Sequence, residues 1–160
     1  MAAAMMCGCC CCDKEYKMGT YGYDLAFFAR HEISTVELES EDGRSRLLIV
    51  PVYQGRVMTS TTDGLDGKSY GWINYKFIET GKVSPQFNPF GGEERFWIGP
   101  EGGPFSYYFK RGDEQVYENW KVPAPIDTDT YDIEKQSKSD VVFVKDFKVR
   151  NASDVEFAMG

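Results

Sequence analysis

The stretch Asn88–Phe109, NPFGGEERFWIGPEGGPFSYYF, sets five glycines and three prolines among aromatic residues, three glutamates and one arginine. That mixture suits neither a plain helix nor a plain strand. The pairs Gly91-Gly92 and Gly102-Gly103, beside Pro100 and Pro104, read as two sharp corners. Between them Glu94 to Ile98 reads as a short strand. Its alternation places Glu94, Phe96 and Ile98 on one side and Arg95 and Trp97 on the other. A guanidinium and an indole on one surface, beside the carboxylates of Glu93 and Glu101, have the chemistry of a sugar site. Pyranose C–H faces stack on an indole, and hydroxyls need charged, bidentate partners. The same residues also fit a bracing role, an Arg–Glu pair holding a loop over a core tryptophan. The two readings differ in what Arg95 and Trp97 touch.

Working outward, 160 residues with 42% hydrophobic and 15% aromatic content suffice for one domain with a real core. The net charge of −7, with lysines and arginines scattered along the chain, argues against a nucleic-acid partner. No apolar run approaches the roughly 18 residues of a spanning helix. All five cysteines lie in the first twelve residues, MAAAMMCGCCCC, so they do not staple the fold, and no histidine lies close enough to make a zinc module. Residues 1–12 read as a lipoprotein-signal-like segment in which Cys9, after Gly8, is the lipidation candidate. Met6 and Cys7 match such a signal poorly, and a basic leader is missing. The expectation is a cell-envelope protein, periplasmic or an outer-membrane lipoprotein, touching membrane only through that anchor. Residues 13–20 read as a polar linker and 21–160 as a single β-sandwich domain incomplete at its C-terminus. Neither a cofactor nor a metal is expected.

Along the chain, Asp24 reads as the cap of one or two helical turns from Leu25 to Arg30, with His31 closing their C-terminal end. From Ile33 the period becomes two, and Glu41-Asp42-Gly43 marks a hairpin turn. Arg44 to Tyr53 is expected to be the partner strand, broken at Gln54-Gly55 and resumed from Arg56 to Thr61. The loop Thr62–Lys68, TDGLDGK, has turn chemistry and lacks the twelve-residue ligand spacing of a calcium loop. Ser69–Thr80 is read as a short helix or an aromatic loop. Phe105 to Lys110 is expected as a strand ending in a turn at Arg111-Gly112-Asp113. Val122 to Ile126 reads as extended, the run from Asp140 to Arg150 alternates, and Val155 to Gly160 reads as part of another strand. The fold class is therefore all-β, an antiparallel β-sandwich with one or two short helices.

The segments LLIVPVYQGRVMTS, SYGWINYKFI, FNPFGGEERFWIGPEGGPFSYYF and NW-x-VPAPIDT resemble the DUF6786 family of Bacteroidetes proteins, which is similar to galactose mutarotases and related sugar-binding supersandwiches. The resemblance implies large antiparallel sheets, a carbohydrate in the concave groove, and a longer domain of which this chain is the N-terminal part. Gly55-Arg56 resembles the early Gly-Arg of mutarotases, and Asn88 with Gly91-Gly92 resembles their Asn and His-Gly-Gly. Phe90 stands where that histidine would be, and the later histidine and glutamate of the mutarotase acid–base pair have no counterpart here. The function expected is carbohydrate recognition by Arg56, Asn88, Glu93, Arg95, Trp97 and Glu101. One alternative is the N-terminal half of an epimerase or glycosidase in which Glu93 or Glu101 is catalytic with a residue beyond position 160. The other is a purely structural or interaction β-domain.

Overall fold

The computed structural model describes residues 14–160, so the lipoprotein-like segment and Cys9 lie outside the described residues. Among the described residues the regular structure is mostly strand, arranged in small antiparallel sheets, with two helices. Helix α1, Tyr21–Arg30, starts earlier than the sequence indicated. Thr20, rather than Asp24, is its N-cap, accepting from the Tyr23 amide, while the amides of Tyr21 and Gly22 donate to the carbonyls of Gly67 and Leu65. The first-turn donors are thus satisfied by the 62–68 loop, a tertiary solution that local pattern does not contain. Asp24 is turned inward, where Ser69 and Tyr75 donate to its carboxylate. At the other end the His31 amide donates to the Phe27 and Phe28 carbonyls, and its ring lies 4.5 Å from that of Phe27.

Three strands follow, β1 (Val36–Glu39), β2 (Arg46–Val50) and β3 (Arg56–Thr61), paired in the order β1-β2-β3. Strand β3 has the expected bounds, whereas β1 and β2 are shorter than expected. Pro51 cannot donate to a ladder, and the chain turns there into a single 3-10 turn, Pro51–Tyr53. Gln54 then takes a left-handed conformation, φ 70°, and the Leu48/Ile49 register shift bends the sheet. Helix α2, Tyr75–Glu79, is capped by the Asn74 side chain, which accepts from the Phe77 amide. Strands β4 (Asp132–Gln136) and β5 (Val141–Val144) form one hairpin, and β6 (Phe147–Arg150) and β7 (Glu156–Met159) another. Strand β4 escaped the sequence reading because DIEKQ is solvent-exposed throughout and has no apolar alternation.

Two expected strands are not strands. Glu94 to Ile98 makes a single ladder contact among the described residues, Glu94 with Val57. Side chains occupy its carbonyls instead: Gln54 Nε2 donates to the Phe96 oxygen and the Tyr108 hydroxyl to that of Ile98. Phe105 to Lys110 is a series of turns. The Ser106 hydroxyl donates to the Glu101 carbonyl and accepts from the Tyr108 amide, a local arrangement that competes with sheet pairing. The Val122–Ile126 segment, expected as extended, closes into a 3-10 turn at Ala124–Ile126.

Two apolar clusters make the core. The first packs Tyr21, Phe27, Phe28, Leu48, Val50 and Met58 with Ile73, Ile78 and Phe90. The second packs Ile98, Tyr108, Phe109, Val122, Ile126 and Val149. Each fully buried side chain such as Phe28 or Leu48 contributes about 1.5–3 kcal/mol relative to exposure. The central stretch gives Phe90 to one cluster and Ile98, Tyr108 and Phe109 to the other, so it crosses between them. Among the described residues no helix is long and apolar enough to cross a membrane.

Candidate functional site

A buried carboxylate that the sequence did not single out, Asp127, organises the polar residues of the crossing. The 3-10 turn at Ala124–Ile126 sets it at 2% exposure. Its Oδ2 accepts from the Asn88 amide at 3.0 Å and from Asn88 Nδ2 at 2.8 Å. Asn88 in turn accepts from the Ser84 amide and donates to the Ser84 carbonyl, which fixes its side chain at both ends. The other carboxylate oxygen, Oδ1, lies 3.6 Å from Arg56 Nη2 and 3.6 Å from Arg95 Nη2. Two guanidinium groups therefore converge on one carboxylate.

Arg56, at the first residue of β3, is 2% exposed and donates through Nη1 to the Gly91 carbonyl at 3.0 Å. Its guanidinium lies 5.6 Å from the Phe90 ring, which stacks on Tyr53. Burial and the nearby charge of Arg95 push Arg56 down to about 10, against the pull of Asp127. Burial likewise lowers Arg95, and it raises Asp127 against the Asn88 hydrogen bonds and the two arginines. Arg95 donates to the Ile126 carbonyl and covers the Trp97 ring, 4.2 Å from its centroid. The expected sharing of a surface by Arg95 and Trp97 is present, although the segment is not a strand.

Trp97 is half-buried, stacked on Tyr108 at 5.2 Å, and donates from Nε1 to Glu101 Oε1 at 2.8 Å. Tyr108 stacks in turn on Trp120, and Trp120 on the exposed Tyr117. Of the candidates read from sequence, the structure thus places Arg56, Asn88 and Arg95 around Asp127, and Trp97 and Glu101 on the outer side of Arg95. Glu93 stands apart from them, exposed and accepting from the Ser60 hydroxyl at 3.0 Å. The sequence signal for Asp127 was its position directly after the apolar, proline-containing Val122–Ile126 run, which delivers an acid to the interior. Gln54 was also missed: its left-handed backbone aims its amide at the Phe96 carbonyl.

Residues 19–160 match the family of unknown function DUF6786. The chain belongs to that family. No curated protein and no solved structure matches it. The matched span of this DUF6786 chain holds the whole constellation from Arg56 to Asp127, both apolar clusters and the seven strands of the described residues. Chemically the constellation offers a rigid interior of opposed charges and an outer edge where a guanidinium, an indole and a carboxylate are already assembled. Because Arg95 and Tyr108 already lie against the indole, the edge offers a ligand hydrogen bonding through Glu101 and contact with the border of the ring.

Proposed function

We propose that this DUF6786 chain recognises carbohydrate, through the edge formed by Arg95, Trp97 and Glu101 on a frame of Arg56, Asn88 and Asp127. The observation that carries the reading is the linkage of Glu101 to the Trp97 indole at 2.8 Å, with Arg95 4.2 Å from the same ring. A polar ligand meets there the exposed Glu101 carboxylate as hydroxyl acceptor and an aromatic border, with little left to order on binding. The proposal takes the small antiparallel sheets as part of a mutarotase-like sandwich, and the protein as an envelope lipoprotein anchored at Cys9. The reading is one of recognition, in which Glu93 and Glu101 are engaged by different partners, Ser60 and Trp97. A bracing reading of the same residues draws support from the stacking of Trp97 on Tyr108.

A glycan array on the wild type, followed by titration calorimetry of two variants, tests the proposal. Trp97→Ala is expected to weaken binding by about 1–3 kcal/mol, the usual cost of losing an anchoring aromatic. Because Trp97 also packs on Tyr108, Glu101→Ala supplies the cleaner arm. It removes an exposed carboxylate whose side-chain link is to the indole, so stability should fall by no more than about 1 kcal/mol while binding drops. Wild-type protein that binds no glycan, or a Glu101→Ala protein that binds as tightly as wild type, would overturn this assignment.

A further inference from the structure

A concave surface borders Tyr108, the ring on which Trp97 stacks. A cleft of about 540 Å³ opens between the 107–111 turns, the 118–123 segment and the β6–β7 turn. That volume lies within the range of small-molecule sites and accommodates a mono- or disaccharide. Its back wall is Tyr108, nine-tenths or more buried and held by its hydroxyl bond to the Ile98 carbonyl at 2.6 Å. Tyr107, half-buried and edge-on to Phe157 at 5.8 Å, gives the cleft an aromatic side.

The charge of the lining departs from that of the molecule. In a chain of net charge −7, the cleft gathers four cations, Lys110, Arg111, Lys121 and Arg150, against three carboxylates, Asp113, Glu118 and Asp154. Arg150 is neutralised by Asp154 at 3.0 Å and Glu156 at 3.1 Å, and Arg111 leans on Asp154 at 3.8 Å. Lys110 and Lys121 are exposed and form no ion pair among the described residues. The Lys121 amide donates to the Tyr108 carbonyl, which anchors its backbone to the back wall. Two unneutralised ammonium groups thus stand beside an aromatic side and the hydroxyl acceptors Asp113 and Glu118.

We propose that this cleft binds an anionic sugar unit, carboxylated or sulfated, so that the glycan recognised by the protein is an acidic one; this rests on the carbohydrate reading above. The lysines meet the acid group, and Asp113 and Glu118 accept from ring hydroxyls. The interleaved carboxylates disfavour a polyanion that offers charge without hydroxyls, such as polyphosphate or DNA.

Calorimetry at low and moderate salt decides the point, with oligogalacturonate, a sulfated galactan oligosaccharide and a neutral galactan oligosaccharide as probes and inorganic polyphosphate as control. The expected result is about tenfold tighter binding of one anionic probe than of the neutral one, an advantage that shrinks as salt rises. Lys110→Gln/Lys121→Gln alters only exposed side chains and should melt like wild type. It should lose about tenfold in affinity for the anionic probe and leave the neutral one unchanged. The stronger anionic probe identifies the acid group as carboxylate or sulfate. Equal affinity for neutral and anionic probes, an unaffected double variant, or polyphosphate binding as tight as the sugars overturns the proposal while leaving the carbohydrate reading in place. Failure of every glycan overturns both.

Discussion

Asp127→Ala is expected to lower the unfolding free energy by about 3–5 kcal/mol, the range for breaking a buried ion pair and leaving its partner charge uncompensated. Here the effect falls on two partners, because Arg56 and Arg95 both lie 3.6 Å from the same carboxylate oxygen. The substitution also strips the acceptor from the amide and side chain of Asn88. Asp127→Asn separates the two contributions, since it retains an acceptor for Asn88 and removes only the charge. Urea denaturation followed by tryptophan fluorescence measures both. Asp127→Ala combined with Arg56→Met should cost less than the sum of the single changes, since removing a guanidinium relieves the repulsion that the first substitution exposes. A loss below about 1 kcal/mol for Asp127→Ala would show that water already screens the pair.

The second large effect is expected at Gly91. Its φ is 92°, and a Cβ built there would stand 2.1 Å from the Trp72 carbonyl oxygen. That oxygen accepts from the Gly92 amide at 2.8 Å, so the backbone cannot withdraw without losing the bond. Unlike the far end of a flexible side chain, a carbonyl has no rotamer by which to yield. Gly91→Ala should therefore destabilise by about 3–4 kcal/mol, combining backbone strain with a broken contact. Gly81→Ala is the control: φ is positive there as well, at 61°, but a Cβ would meet nothing within 4 Å. It should cost only the strain of the left-handed backbone, about 1 kcal/mol. Thermal melts of the two variants side by side give the comparison, and equal losses would assign the whole effect to φ.

How far the fold could be read from the chain depended on which partner satisfied each backbone group. Strand β3 was legible because its ladder partner is the strand just before it and the Gln54-Gly55 break marks where it starts. Alternation misled at Glu94 to Ile98, where Gln54 and Tyr108 take the carbonyls that a ladder would use. Asp24 has the chemistry of a helix cap, and local pattern could not anticipate that the Gly67 and Leu65 carbonyls would serve the helix start instead. At the site, the sharing of one surface by Arg95 and Trp97 followed from period two alone. The convergence of Arg56 and Arg95 did not, because Asp127 lies 71 positions from Arg56 and 32 from Arg95 in the sequence. Long-range charge pairing leaves no periodic trace, and the acid was visible only as the residue that ends an apolar run.

The crossing of the central stretch between the two apolar clusters has a kinetic meaning. Amides exchange with solvent according to how much structure must open to expose them, and regular hairpins are not always the slowest. The β4 side of its hairpin is exposed along its whole length, so its hydrogen bonds can open by local fluctuation. The amides of Gly92 and Glu93 instead donate to Trp72 and Val57, inside a segment pinned at Phe90, at Arg95 and at Ile98. Releasing them requires both clusters to part. In deuterium exchange the slow protons should therefore map onto glycine-rich backbone without regular secondary structure, where a reader of sequence would place a flexible loop.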